Sequence, residues 1–415
     1  MQQSSVGGIG KSDASTALWF AFVCALVPVA CLVIPIYVIR PFRRQGAREL
    51  AFALTVRAAA PWLTAVCVIA VLWILFSVLR RKTGTLARIA LVALSFIALI
   101  SAVLTHVNIF EIMFHPYPSP AFGEAGTAKV DADDRVLAVR IGAVAHAYPV
   151  LIMGYHHIVN DQVADVPIAA TYCTLCHAGL VWNRVVDGKT LYFRLAGINN
   201  GNALMRDEQT GSIWQQSTGQ AIFGPLKGSQ LKLIRSDELT FGLWRKEQPH
   251  GLVLRPDAPY ATEYESRDWE AHVEKTPTVV DTGRTGILPH ALMLGLTASG
   301  QSKAYPVKSI LAAKIIQDRI AGDSIVILVG PDHTSVRVFQ ARTSEEPLTF
   351  LPVADADQSS GDGLMYDAGT ASVWNFQGCA IRGQLAGHCL VQLDASKDYW
   401  FDWMNHHPTT AVFRN

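Results

Sequence analysis

The sequence has no phosphate-cradling glycine loop, no Ser/His/Asp arrangement and no paired carboxylates, which removes the usual signatures of kinase and hydrolase chemistry. Its soluble part also lacks a basic stripe interleaved with aromatics, so nucleic acid is not an expected partner. Charge is missing from the interior of three long apolar runs near the N-terminus, so these runs mark no proton or ion path. Cysteine is scarce, with seven among 415 residues. Cys24, Cys31 and Cys67 lie inside the apolar runs and read as small packing residues, although their thiols also offer a candidate relay of reducing equivalents. The two pairs left for the soluble part, Cys173 with Cys176 and Cys379 with Cys389, fit an oxidising compartment.

Each of the three runs, roughly 17–39, 58–79 and 89–107, is long enough to span a bilayer. The first is too long and too polar-flanked for a cleaved signal, and two more runs follow it, so it reads as an anchor. Residues 1–107 carry ten Lys or Arg against two acidic residues, leaving 25 basic against 32 acidic from totals of 35 and 34. A basic membrane domain, 1–110, therefore carries a mildly acidic soluble region. Both loops between the runs are basic (Arg40, Arg43, Arg44, Arg48 and Arg57, then Arg80, Arg81, Lys82 and Arg88), so loop charge alone leaves the orientation open.

The soluble region repeats itself. AYPV at 147–150 recurs at 304–307, an offset of 157 that holds without a gap to Trp182 and Phe339. LMRDEQTGSIW at 204–214 answers LMYDAGTASVW at 364–374, and Trp244 and Pro249 answer Trp403 and Pro408. Two copies of one unit follow, 131–256 and 288–415. Each reads as short Val-, Ile- and aromatic-rich strands separated by Gly, Asp and Asn turns, with one helix after each AYPV and another near 239–246 or 399–405. The expected fold class is α+β, mainly antiparallel β: a duplicated soluble unit, its halves packed as a pseudo-symmetric pair, preceded by three transmembrane α-helices.

Residues present in both copies serve the fold, and chemistry present in one copy points to a site. Asp207 and Asp367, Thr210 and Thr370, Ser212 and Ser372, Trp214 and Trp374 belong to the first class, as turn and core residues. Cys173 and Cys176 belong to the second, because the second copy has Gly330 and His333 there. His156 and His157 are answered by Ala313 and Lys314, and His146 by Lys303. The first copy therefore reads as the active one.

PIAATYCTLCHAGLVWNR, 167–184, sets the two cysteines on a tight strand-to-strand connection, close enough to bond each other or share a metal. Such a pair can cycle between dithiol and disulfide, one sulfur attacking and the other resolving, with His177, His156 or His157 to stabilise a thiolate or take its proton. Cys173, Cys176 and His177 also satisfy the pattern for covalent haem c attachment, and the same three are candidate ligands for zinc or a soft metal ion. A structural disulfide is the bland alternative. No cofactor is required by the redox reading. Cys379 and Cys389 flank a Gly-centred hairpin and read as a structural bridge or two packed thiols.

AYPV, HHIVND (156–161), PIAATYCTLC (167–176), LMRDEQTGSIWQQSTGQAIFGPLKG (204–228) and Trp244 followed by Gln248-Pro249-His250 resemble the bacterial and archaeal family catalogued as domain of unknown function 3179. The resemblance covers the first copy almost end to end and the second more faintly. It implies an exported or membrane-anchored protein, and, because the family includes selenoproteins, a redox role for Cys173 and Cys176. The chain departs from the family pattern at His177, where a small residue is common, and at Arg206 and Glu208. The expectation is a multi-pass protein of the cell inner membrane with a periplasmic or otherwise extracytoplasmic soluble region. Its partners would be the membrane and a redox protein or small thiol.

Overall fold

The computed structural model describes residues 9–81, 83–283, 286–343, 346–353 and 364–414; Lys82, one of the loop cations above, lies outside them. The fold is mixed α+β, with three apolar helices followed by a β-rich region whose sheets are mostly antiparallel. Two compact units are formed, Met1–Met113 with Gly197–Asn199, and Phe114–Ala196 with Asn200–Asn415.

In the first unit the apolar runs become α1 (Ile9–Val38), α2 (Ala47–Leu79) and α3 (Thr85–Leu104), three helices long and apolar enough to cross a membrane. Each packs on the other two. Small residues such as Ala21, Ala53, Ala60 and Ala98 face inward, while Trp62, Trp73 and Leu86 point outward, the pattern expected where lipid is the solvent. α2 starts well before the expected residue 58. Its first turns carry Arg48 and Glu49, and Glu49 pairs with Arg43, so the helix runs on past the apolar stretch.

In the soluble unit each copy is built from three small sheets. β1 (Arg135–Ile141), β2 (Val144–Pro149) and β6 (Ser236–Thr240) form the centre of the first sheet, in the order β2-β1-β6, extended through Leu252–Leu254 to Phe122–Glu124. β3 (Ile158–Val163), β4 (Val166–Cys173) and β5 (Ala178–Asn183) make the second, and the Phe193–Asn199 and Asn202–Asp207 hairpin leads the third. The second copy repeats this with β7 (Leu292–Ala298), β8 (Gln301–Pro306), β9 (Ile315–Ile320), β10 (Asp323–Val329), β11 (Val336–Gln340) and β12 (Ala395–Tyr399).

The local reasons for these elements are shared by the two copies. Pro149 and Pro306, both at φ −58°, end β2 and β8 and launch α4 (Val150–His156) and α7 (Val307–Ala313). Those helices close on His157 and Lys314, at φ 61° and 62°, where the left-handed backbone turns the chain into the next strand. Asp207 accepts from the Thr210 amide (2.6 Å) and from the Trp214 indole (2.9 Å), and Asp367 accepts from the Thr370 amide (3.0 Å), so these loop residues act as the turn scaffold expected of them.

The copies interlock. One core joins Val136, Leu239, Phe241 and Trp244 of the first copy to Val326, Leu328, Phe339 and Trp374 of the second. The pseudo-symmetry shows at two reciprocal contacts. α5 (Phe241–Glu247) and β6 meet the 330–335 turn, where Thr240 donates to Asp332 (2.7 Å). Its counterpart α8 (Trp400–His406), with β12, meets the 173–178 turn, where the Tyr399 amide donates to the Cys176 carbonyl (2.9 Å).

Candidate functional site

β4 and β5 pair antiparallel up to Cys173 and Ala178, so Thr174–His177 form the connecting turn, with His177 in the left-handed region at φ 59°. Both thiols are free and buried, Cys173 being 2% and Cys176 0% exposed. The Cys173 thiol makes a long contact to the Gly201 carbonyl (3.6 Å), at the tip of the hairpin that covers it, and also hydrogen-bonds with the Cys176 thiol. That tip is Asn200–Gly201, both at positive φ, and Phe401 of the second copy packs so closely on Gly201 that a Cβ there would meet its ring at 2.7 Å.

Cys176 points into a polar chamber. Asn202 Nδ2 lies 3.2 Å from its sulfur, 3.0 Å from Gln216 Oε1 and 3.3 Å from Asp402 Oδ2. The Ser217 hydroxyl, also against Asn202, donates to the same Asp402 oxygen (2.8 Å), and Gln215 holds the Asn202 carbonyl oxygen (2.6 Å). Burial pushes the Cys176 thiol well up, and Cys173, Asp402 and Asp398 add to the effect. Burial and neighbouring Asp402 likewise raise the Asp398 carboxyl, whose Oδ2 accepts from Ser396 (2.7 Å). His406 sits 3.6 Å from Asp402 Oδ1, an oxygen with no hydrogen bond of ordinary length among the described residues.

His177 belongs to a different cluster. Its Nε2 meets Glu270 (2.7 Å) and Arg135 (3.0 Å), and its Nδ1 faces Tyr172 Oη (3.4 Å) and Glu238 (4.0 Å). Glu270 rides on α6 (Trp269–Val273), a helix of the segment between the copies, and Trp269 stacks near the imidazole at 5.3 Å. Burial opposes ionisation of Glu238, yet Lys397, His177 and Arg135 hold it at about 2; hydrogen bonds and charge from His177 and Arg135 do the same for half-exposed Glu270 against its burial, also about 2. Both carboxyls lie below their unfolded values, so the stability they contribute is complete above about pH 4.5 and is lost as pH falls toward 2. Acidification from pH 4.5 to 2 should therefore free α6, read as a change in Trp269 fluorescence, and Glu270→Gln should flatten that transition.

His156 and His157 are not brought to the sulfurs by any hydrogen bond among the described residues. His156 is buried in an aromatic nest, donating Nδ1–H to the His115 carbonyl (2.6 Å) and facing Tyr264 Oη (3.3 Å), with Tyr117, Tyr155 and Tyr260 around it. Burial lowers its pKa. His157 packs on Phe114 at 4.5 Å, and burial lowers it to about 4. His146 changes class altogether. It meets Asp161 (2.7 Å) as Lys303 meets Asp318 (2.5 Å), so the asymmetry seen in sequence is one scaffold contact to an Asp made by two residue types.

Cys379 and Cys389 are bonded across an antiparallel pair, at the place where the first copy has Gln220 opposite Gln230, as befits a structural bridge. Among the described residues no three His, Cys, Asp or Glu side chains are grouped to hold a metal.

The sequence reading missed Asn202, Ser217, Asp398, Asp402 and His406. A signal for the acids was present: in the paired segments 236–247 and 395–406, Leu239 stands opposite Asp398, and Leu243 opposite Asp402.

Residues 117–410 match the family described as "Protein of unknown function (DUF3179)". No curated protein and no solved structure matches the chain.

Proposed function

The chain belongs to the DUF3179 family, a membership that brings no activity with it, and from the geometry of the turn we propose that it is a membrane-anchored thiol–disulfide redox protein working through Cys173 and Cys176. The observation that carries this reading is the chamber around an unbonded dithiol: two free thiols three residues apart on one turn, with Asn202, Ser217 and Asp402 gathered at Cys176. A purely structural disulfide has no use for such polar company, and burying it costs free energy unless every group is paired. Cys173 is the attacking sulfur, since it is the less enclosed of the two, 2% exposed against 0%, beneath the tip of a single hairpin. Cys176, held by Asn202, resolves the mixed disulfide.

The covalent haem and metal readings have less support, because both His177 nitrogens already face protein groups. The soluble region lies on the extracytoplasmic side of the inner membrane in this proposal. The Cys379–Cys389 bridge and the three apolar helices support that placement. The partner is a protein or small-molecule disulfide, and an external thiol would restore the dithiol.

The test uses the full chain in detergent: an absorption spectrum and metal analysis, then turnover of a glutathionylated peptide with reduced glutathione as the source of electrons. A colourless, metal-free protein that accelerates deglutathionylation is expected. A haem Soret band that survives acid-acetone extraction, or no acceleration over buffer, would overturn the reading.

A further inference from the structure

A buried thiol that must become a nucleophile needs somewhere to put its proton. Burial pushes the Cys176 thiol up, so water at neutral pH is a poor acceptor for it. The chamber holds one group suited to the task. Cys176 Sγ and Asp402 Oδ2 lie on the same Asn202 Nδ2 donor, at 3.2 and 3.3 Å, so both face one chamber, and the Cys176 thiol rests on the Cys173 carbonyl at 3.7 Å, from which a rotation about its Cα–Cβ bond turns it toward that chamber. Among the described residues the other oxygen of Asp402 has no hydrogen bond of ordinary length, and Asp402 itself is 1% exposed. His406 Nε2 lies 3.6 Å from that oxygen, its side chain 12% exposed, close enough to take up a proton from Asp402.

The repeat gives an independent argument. At the pseudo-equivalent contact the second copy's turn has Gly330 and His333 in place of the cysteines, and a Cβ on Gly330 would lie 3.3 Å from Leu243. Leu243 is the counterpart of Asp402, and Leu239 of Asp398. Where the thiols are absent, the acids facing them are absent too. Scaffold needs do not explain this, because the two helices have the same length and the same place in the fold.

Building on the dithiol reading above, we propose that Asp402, supplied by the second copy, is the base that takes the Cys176 proton, with His406 as its outlet. Cys173 is first joined to a substrate sulfur as a mixed disulfide. The Cys176 S–H proton passes to the Asp402 carboxylate, and Asn202 donates to the thiolate so formed. That thiolate attacks Cys173 Sγ, the new Cys173–Cys176 bond forms, and the substrate leaves as its thiolate. The dithiol loses two electrons in total and the substrate disulfide gains them. The groups facing Cys176 are Cys173 on its own turn and Asp398 and Asp402 from the second copy; those facing Asp402 are Asp398, His406 and His407, with Asn202 and Ser217 as neutral donors.

The test follows the resolving step directly. In full-length protein with Cys24, Cys31 and Cys67 replaced by serine, one equivalent of a chromogenic aryl disulfide loads Cys173, and release of the second aryl thiolate reports attack by Cys176. Asp402→Asn should slow that release about a hundredfold at pH 7, the range of a lost general base, with the gap closing as pH rises and hydroxide takes over. Asp398→Asn should change it far less. An unchanged rate in Asp402→Asn, or an equal slowing at every pH, would overturn the role of Asp402 while leaving the dithiol reading intact. No second release from the parent protein would overturn both.

Discussion

Replacing Cys176 by serine should turn the protein into a trap. With the resolving sulfur gone, a substrate joined to Cys173 has no intramolecular exit, so in the absence of added thiol a mixed disulfide accumulates and its release falls by roughly a thousandfold, as when one member of a catalytic unit is lost. Cys173→Ser should lose turnover of the glutathionylated peptide without accumulating any adduct. The asymmetry rests on position: Cys176 is fully buried against Asn202, and Cys173 lies directly beneath the Asn200–Gly201 tip. Mass spectrometry of protein isolated under acid quench distinguishes the two variants. An adduct on Cys176 in the Cys173→Ser protein, with none in Cys176→Ser, would reverse the assignment of roles.

The largest effect on stability is expected at Arg337. This guanidinium, 8% exposed, donates to Asp237 (2.8 Å) and, with two nitrogens, to both oxygens of Glu247 (2.8 Å each), tying β11 of the second copy to β6 and α5 of the first. Truncation to alanine leaves two carboxylates in a largely buried place with their main counter-charge gone, a change that costs about 3–5 kcal/mol. Arg337→Ala should therefore lower the melting temperature of the soluble region by on the order of 10 °C. Arg337→Lys, which keeps the charge and loses the fork, should fall between the two. The loss should be relieved in Arg337→Met combined with Asp237→Asn and Glu247→Gln, because no charge is then stranded. A melting temperature unchanged in Arg337→Ala would mean that this bridge does not hold the copies together.

Much of this architecture is legible in the sequence because its signals are local or repetitive. The three apolar runs, the helices after each AYPV, the C-x-x-C turn and the Asp–Thr–Ser–Trp loops all follow from composition, proline placement and the offset of 157. The α2 start was harder to read, since its first turns carry Arg48 and the paired Glu49 and are not helical by apolar content. The chamber was harder still. Cys176 and Asp402 are 226 residues apart, and no periodicity links them; they meet because the copies interlock instead of stacking side by side. The surroundings of two histidines were equally illegible, because their partners are distant in sequence: His177 is held by Arg135 and Glu270, and His146 bonds Asp161 in the place where the second copy pairs Lys303 with Asp318. Comparing both copies in both directions would have flagged Asp398 and Asp402, because a leucine replaced by a buried acid has no packing reason.

The most direct test of the central claim is a redox titration of the full-length protein in glutathione buffers, with acid quench, alkylation and peptide mass analysis of each cysteine pair. Cys173 and Cys176 should titrate together as one two-electron couple across the poise that glutathione sets, while the Cys379–Cys389 bridge stays oxidised throughout. A Cys173–Cys176 pair that remains dithiol, or remains bonded, at every ratio of reduced to oxidised glutathione would contradict the redox function assigned to this turn.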